Sequence, residues 1–183
     1  WFTCGPQGMP GTDKPNMDTV PAMALFSAKK PLKRNVTWQY EGPVLADFGH
    51  QLSRTYECPD LFQLDGKTVA IGALMHYRDK QGRFQQVRWY VGDLKDTADG
   101  PRLQVGNSDW CDFGTGYYAT QSFAADDGRR IAFGWYTDFP AMRVEKPCIA
   151  NGMMSLPREL HVRDGRLTSR PVKEVYEQLL GDR

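Results

Sequence analysis

The sequence is poor in the residue patterns that bind metal ions. Its cysteines and histidines are few and widely spaced, at Cys4, Cys58, Cys111, Cys148, His50, His76 and His161. No two cysteines form a CxxC pair, and no two histidines have the short spacing that zinc ligands usually show. We therefore expect no metal site and no cofactor.

The chain also lacks a strong net charge and a long apolar run. Lys and Arg together number 23 and Asp and Glu number 22, so the formal net charge is +1. A nearly neutral protein lacks the electrostatic attraction on which general nucleic-acid binders and anionic-membrane binders depend. No apolar stretch approaches the ~18 residues of a membrane-spanning helix. We expect neither nucleic acid nor a membrane among the partners.

Two features are missing at the N-terminus. The chain starts at Trp1 without an initiator Met, and no charged-then-apolar signal segment follows. The start at Trp1 without an initiator Met predicts that the chain is a fragment. The lack of a signal segment predicts a cytoplasmic location. Scattered cysteines are typical of free thiols in that compartment, although an even number also permits disulfides.

What the chain does contain is a series of short apolar runs separated by tight turns. Hydrophobic residues make up 40% of the 183 positions, which is enough for a packed core. Asp65 and Gly66 separate the runs 61–64 and 68–75, and an Asp-Gly pair in that position predicts a hairpin. Further runs lie at 22–27, 36–41, 87–92, 103–105, 118–123, 130–136, 153–156, 159–162 and 166–168. Strands of this length and spacing predict an all-β fold.

An internal repeat organises these strands. Residues 56–66 align with residues 117–128 when one inserted residue is allowed, and residues 71–73 then fall on residues 133–135. The period is about sixty residues with roughly four strands in each unit, which is the pattern of β-propeller blades.

The repeat suggests a single domain, 1–183, made of successive blades. We assign a degenerate blade to 1–55, a second blade to 56–116, and a third blade with a terminal helix to 117–183. The helix is predicted from the helical spacing of apolar residues between Pro171, at its first position, and Gly181, just after its end.

Glu57 is the most informative candidate for chemistry. It stands at the head of an apolar strand, where side chains can face the central channel of a propeller. A partly buried carboxyl group there would suit a general acid, because burial favours the protonated form. A purely structural Glu remains the alternative on residue type alone.

The segment around Glu57 resembles a known motif. Glu-Cys-Pro-Asp-Leu-Phe at residues 57–62 resembles the acid/base motif of glycoside hydrolase family 32, the family of invertases, sucrose-6-phosphate hydrolases, levanases and inulinases. Segments similar to other motifs of the family follow in its order, at residues 38–42, 90–93, 112–121, 134–135 and 155–160. The family's catalytic domain is a five-bladed β-propeller, so the resemblance implies a partial propeller of about three blades.

The resemblance also implies a retaining mechanism on a fructoside such as sucrose or sucrose-6-phosphate. Glu57 matches the acid/base residue, and Tyr118 and Trp135 match aromatic residues that line the pocket. Cys58 and Asp60 belong to the same motif as Glu57, and we place them among the substrate-binding candidates. Whether Asp60 helps to hold the acid/base strand or only ends the motif stays open.

The chain departs from the family in ways that affect activity. The family's nucleophile lies in an Asn-Asp-Pro motif and its transition-state stabiliser in an Arg-Asp-Pro motif, and this sequence contains neither. Gly116 and Thr120 stand where the family usually has Asp and Pro. Because loss of a nucleophile typically costs many orders of magnitude in rate, we expect no sucrose hydrolysis by this chain alone.

Two other functions compete with that of an incomplete fructosyl hydrolase. One is a non-catalytic carbohydrate-binding or vestigial propeller fragment, and the other is an unrelated propeller that serves as a scaffold for protein contacts. A partial propeller exposes blade edges, and exposed strand edges pair readily with another chain. We therefore expect a homo-oligomer.

Overall fold

The computed structural model describes residues 20–29, 34–50, 55–114, 116–137 and 152–181, and these residues form three antiparallel sheets in series. Sheet 1 contains β1 (Ala22–Ser27) and β2 (Gln39–Ala46), followed by a short 3₁₀ turn (Phe48–His50). Sheet 2 contains β3 (Thr55–Leu64), β4 (Lys67–Met75), β5 (Val87–Thr97) and β6 (Gly100–Trp110) in that order. Sheet 3 contains β7 (Tyr117–Ala124), β8 (Arg130–Tyr136), β10 (Arg158–Arg163) and β11 (Arg166–Pro171), with the short β9 (Met153–Met154) also paired to β8.

Tight turns fix the register of the hairpins. Asp65 and Gly66, between β3 and β4, have φ angles of 49° and 76°. Asp164 and Gly165, between β10 and β11, have φ angles of 51° and 70°. Two successive residues with positive φ match the twist of antiparallel strands, and Asp-Gly adopts that conformation readily. The hairpin predicted at Asp65-Gly66 is confirmed.

The β4 strand contributes to the cores on both sides of sheet 2. Val69 and Ile71 are buried in a core that sheet 2 shares with sheet 3, whereas Ala70 and Leu74 are buried in a core shared with sheet 1. Successive residues of a strand point to opposite faces, so a strand between two packed sheets is apolar throughout. Face-to-face stacking of successive sheets is the arrangement of propeller blades.

The internal repeat has a structural counterpart at the start of β3 and β7. In each strand the pairing skips a step, after Glu57 in β3 and after Tyr118 in β7, and the next residue has a positive φ: 48° at Cys58 and 51° at Ala119. Each strand therefore contains a β-bulge. In each strand a tyrosine, Tyr56 or Tyr117, lies two residues before the positive-φ residue, and its ring lies over a glycine of the neighbouring strand. A Cβ at Gly134 would stand 2.2 Å from Cε2 of Tyr117.

The C-terminal helix is present but begins later than predicted. Pro171 is the last residue of β11, and α1 runs from Lys173 to Leu180. Gly181 follows the helix with a φ of 64°, a conformation that glycine adopts without steric cost. The all-β prediction with one short helix is confirmed. In the described part of the chain, no helix is both long and apolar enough to cross a membrane.

Candidate active site

Glu57 and Tyr118 meet where sheets 2 and 3 pack together. Glu57 is the residue before the bulge in β3, Tyr118 is the residue before the bulge in β7, and these two strands are in contact. The hydroxyl of Tyr118 donates a hydrogen bond to Oε2 of Glu57. The repeat therefore brings equivalent positions of two neighbouring sheets together, and the carboxylate is held by a donor from the next sheet.

Tyr118 remains protonated at any ordinary pH. Its side chain is buried, and burial raises the pKa of the phenol well above its usual value. The hydrogen bond to Glu57 and the negative charge of Glu57 raise this pKa further. The hydroxyl is therefore a stable donor to the carboxylate.

Trp135 extends this pair. It lies opposite Tyr118 in the register of β7 and β8, and Met154 of β9 pairs with it on the other side. Gly152 passes close to the indole, since a Cβ there would stand 2.2 Å from Nε1 of Trp135. The Trp135 side chain is half-buried. Aromatic faces suit the apolar C–H faces of sugars, and a tyrosine hydroxyl suits their hydroxyl groups.

Comparison with known families shows what this arrangement belongs to. The protein-family model described as "Glycosyl hydrolases family 32 N-terminal domain" matches residues 20–171 of the sequence. The chain belongs to glycoside hydrolase family 32. The resemblance inferred from the motif around Glu57 is thereby confirmed.

Characterised relatives of this family 32 chain are considerably longer than it is. The sucrose-6-phosphate hydrolase of Vibrio alginolyticus is 31% identical over 163 residues, covering 84% of this chain and 32% of the relative. That of Bacillus subtilis is 32% identical over 151 residues, covering 75% of this chain and 30% of the relative. The chain thus spans about a third of the length of these relatives.

Solved structures of family 32 proteins have the same fold as this chain. A family 32 glycoside hydrolase from Bifidobacterium adolescentis is 81% identical, with a TM-score of 0.86, over 97% of this chain and 28% of that protein. The Bombyx mori family 32 β-fructofuranosidase BmSUC1 is 23% identical, with a TM-score of 0.71, over 90% of this chain and 34% of that protein. Together with the three stacked sheets, these likenesses confirm the predicted partial β-propeller.

The structure explains one departure from the family motif. At Gly116, where the family usually has Asp, a Cβ would stand 2.5 Å from the carbonyl oxygen of Thr137. The carbonyl oxygen of Gly116 also accepts a 2.8 Å hydrogen bond from the Thr137 N–H. A side chain at position 116 therefore requires these two segments to move apart. Thr120, where the family usually has Pro, is buried.

Cys58 lies beside Glu57 as a neutral thiol. Burial, followed by the negative charge of Glu57, raises the pKa of this thiol. Nε2 of Gln121 donates a 2.9 Å hydrogen bond to the Cys58 carbonyl oxygen. Cys58 and Cys111 are both free, whereas Cys4 and Cys148 lie outside the described residues. A role of Cys58 in substrate binding stays a prediction.

Asp60 is held by contacts with sheet 3. Its Oδ2 accepts hydrogen bonds from the Ser122 N–H, at 2.9 Å, and from the Ser122 hydroxyl. Its Oδ1 accepts a 3.2 Å hydrogen bond from Nη2 of Arg130. These contacts favour the interpretation in which Asp60 holds the acid/base strand, and a direct role in substrate binding stays a prediction.

Sequence reasoning missed these partners of the Glu57 motif. Gln121 and Ser122 lie inside the family-like segment 112–121 or just after it, and Arg130 begins β8. The repeat alignment contained a usable signal, since Asp60 falls on Gln121, the residue next to its partner Ser122. Equivalent positions of adjacent blades are natural contact partners.

A second missed group lies behind the site, around the buried carboxylate of Asp47. The hydroxyl of Tyr90 donates to Oδ2 of Asp47 and hydrogen-bonds the hydroxyl of Tyr56, the residue before Glu57. Nδ1 of His50 lies 2.7 Å from Oδ2 of Asp47. This network connects the loop after sheet 1 to the start of β3.

Burial and hydrogen bonding act in opposite directions on Asp47. Burial opposes ionisation, but hydrogen bonds from His50, Tyr90 and the Gly49 N–H, with the charge of His50, outweigh it and lower the pKa of Asp47 to about 2. Asp47 is therefore ionised under ordinary conditions.

Among the described residues, no group of three or more His, Cys, Asp or Glu side chains is placed to hold a metal ion.

Proposed function

We propose that this chain supplies the acid/base part of a β-fructofuranosidase active site that acts on sucrose or a related fructoside such as sucrose-6-phosphate. The observation that supports this most directly is Glu57, held by the Tyr118 hydroxyl with Trp135 beside it. Several relatives are sucrose-6-phosphate hydrolases, and one structure of a BmSUC1 mutant is a complex with sucrose.

In the proposed reaction, Glu57 transfers a proton in both steps. As a carboxylic acid it protonates the oxygen that leaves the fructosyl unit, and as a carboxylate it then activates the water that releases fructose. Tyr118 orients the carboxyl group by donating to one of its oxygens, which leaves the other oxygen for the substrate. The exposed part of Trp135 offers an apolar face to the sugar ring.

The proposal includes an incomplete reaction centre. A retaining enzyme needs a second carboxylate about 5 Å from the acid/base residue, as nucleophile. The 183-residue sequence has no Asn-Asp-Pro segment to supply it, and no Arg-Asp-Pro segment to supply the transition-state stabiliser. The chain alone is therefore expected to bind a fructoside weakly at most and not to turn it over.

A fructose-release assay tests this proposal. The purified chain and its Glu57→Gln variant are incubated with sucrose and with sucrose-6-phosphate, and neither protein is expected to release fructose above the buffer control. In a longer natural protein that contains this segment, Glu57→Gln should lower kcat by several orders of magnitude while Glu177→Gln, on the exposed face of α1, leaves it unchanged. Turnover by the isolated chain that Glu57→Gln abolishes would show that it has a complete site.

A non-catalytic sugar-binding fragment is the second candidate function. The observation that favours it is the combination of Tyr118 and Trp135 in a sequence without the nucleophile motif. If the chain binds fructose or sucrose and Trp135→Ala abolishes that binding, while every longer natural form is inactive, this second function replaces the first.

We also propose a cytoplasmic location and self-association. The free thiols of Cys58 and Cys111 are typical of a reducing compartment, and cell fractionation would test the location. Exposed apolar side chains on sheet 3, including Phe123 and Met154, support self-association.

A further inference from the structure

Contacts between sheets 2 and 3 converge on the segment that follows Glu57. On one side are the Cys58 carbonyl and the Asp60 carboxylate; on the other are Gln121, Ser122 and Arg130. We call these five residues the inter-sheet clamp. Tyr118, the donor to Glu57, stands on the same strand as Gln121 and Ser122.

The first half of the inter-sheet clamp satisfies a carbonyl that the β-bulge releases. The pairing of β3 with β4 runs from Glu57 opposite Ala73 directly to Asp60 opposite Ile71, so Cys58 lies outside the regular ladder. The Cys58 carbonyl therefore takes its donor from outside the β3–β4 ladder. Nε2 of Gln121 donates a 2.9 Å hydrogen bond to this carbonyl oxygen and a 3.0 Å hydrogen bond to the carbonyl oxygen of Thr120.

The second half neutralises and orients Asp60. Nη2 of Arg130 donates to Oδ1 of Asp60, and Nε of Arg130 donates a 2.8 Å hydrogen bond to the Ser122 hydroxyl that itself reaches Oδ2. The guanidinium carbon lies 4.0 Å from the centre of the Phe62 ring. The Arg130 and Asp60 side chains are only 17% and 12% exposed, so solvent screens this ion pair less than an open surface pair.

We propose that the inter-sheet clamp positions Glu57 for proton transfer, with Gln121 and Arg130 as its positioning residues. The clamp fixes the backbone one and three residues after Glu57, and it fixes them to the sheet that carries Tyr118. The catalytic use of this positioning rests on the function proposed above. Without the clamp, the Tyr118–Glu57 hydrogen bond loses the neighbouring contacts that β7 and β8 make with the segment after Glu57.

The experiment observes that hydrogen bond directly in the 183-residue chain. The chain has eight tyrosines, and labelling them with ¹³C at Cζ gives a resonance for each. Tyr118→Phe identifies the Tyr118 resonance, and Glu57→Gln gives its position when the carboxylate is lost. Gln121→Leu and Arg130→Met should each move the Tyr118 resonance most of the way to that position, because the carboxylate drifts from the hydroxyl.

Matched variants separate positioning from general loss of structure. Gln104→Leu and Arg163→Met change the same residue types at exposed positions away from Tyr118 and should leave its resonance in place. Arg130→Lys keeps the positive charge beside Asp60 and should restore much of the wild-type position. The other seven tyrosine resonances and the far-ultraviolet circular dichroism report whether each variant is folded.

Gln121→Glu keeps the result decisive if Arg130→Met does not fold. Gln121 is exposed, and glutamate has the same shape without the N–H donors, so the fold should survive while the contact to Cys58 is lost. An unchanged Tyr118 resonance in folded Gln121→Glu and Gln121→Leu chains would overturn the proposal. The measurement uses no fructoside, so an absence of enzymatic activity would bear on the proposed function and not on the clamp.

Discussion

At the scale of single residues, steric contacts explain why two aligned repeats share a glycine. Tyr56 lies over Gly72 and Tyr117 lies over Gly134, each on the strand beside its own. The tyrosine ring occupies the space that a side chain at the glycine would need. The pair of residues therefore behaves as one packing unit that recurs in successive sheets.

We predict that Gly134→Ala destabilises the chain by about 1–3 kcal/mol, the usual range for overpacking a tight core. The new Cβ would stand 2.2 Å from the Tyr117 ring, so the ring must leave its position above β8. Urea unfolding followed by circular dichroism measures the change.

The control for this prediction is Gly106→Ala. A Cβ at Gly106 meets only the Val91 carbonyl oxygen at 3.6 Å, an ordinary contact, so its effect should stay within about 0.5 kcal/mol. Equal destabilisation by the two substitutions would show that the tyrosine–glycine contact is not the cause.

At the scale of elements, the Asp47 network connects the 3₁₀ turn to the start of β3. Asp47 accepts hydrogen bonds from Tyr90 and His50, and Nε of Arg88 lies 3.7 Å from its Oδ2. Through the hydroxyl of Tyr56, this network reaches the residue next to Glu57. It supports β3 from the side opposite to the inter-sheet clamp.

The lowered pKa of Asp47 makes the stability of the chain depend on pH. Its folded pKa is about 2 and its ordinary value is 3.8, so its contribution is complete above about pH 4 and is lost as the pH falls toward 2. The shift corresponds to about 2 kcal/mol. We predict that Asp47→Asn removes this part of the acid dependence and destabilises the chain at pH 7.

Urea unfolding at pH 7, 4 and 3 tests the assignment to Asp47. The wild type should lose more free energy of unfolding between pH 4 and pH 3 than Asp47→Asn does. Asp96→Asn, at an exposed position, should follow the wild type. Parallel pH profiles for wild type and Asp47→Asn would assign the acid dependence to other carboxylates.

At the scale of the whole molecule, sheet 3 presents an apolar outer face. Ala132 packs into the core shared with sheet 2, so its neighbour Phe133 points to the opposite face. Phe133 stacks with Phe123 at 6.4 Å between ring centres, and Phe123 is 51% exposed. Met154, on the neighbouring β9, is 65% exposed.

We predict that the chain self-associates through this face at micromolar concentration. Size-exclusion chromatography with light scattering should give a dimer or larger species for the wild type. Phe123→Asp should shift it to the monomer because a charge opposes burial of the face. Leu94→Asp, at an exposed apolar residue of sheet 2, should not. A wild-type chain that is purely monomeric would rule out this association.

Much of the fold could be predicted from local signals. Asp65-Gly66 predicted the first hairpin of sheet 2, and β1 has the bounds of the apolar run 22–27. The predicted start of the helix was wrong because Pro171, which suits a first helical turn, also suits the last position of an edge strand. Local propensity does not distinguish these two uses.

The candidate site was predictable only in part, for a physical reason. Short-range patterns and motifs in the sequence were enough to predict the all-β fold and the repeat, and to select Glu57, Tyr118 and Trp135 as candidate site residues. The hydrogen bond from Tyr118 to Glu57 and the contact of Asp60 with Arg130, 70 positions away, became visible only in the packing of sheet 2 against sheet 3. Such contacts depend on how one sheet stacks on the next, and a residue's local pattern does not encode its partner across that interface.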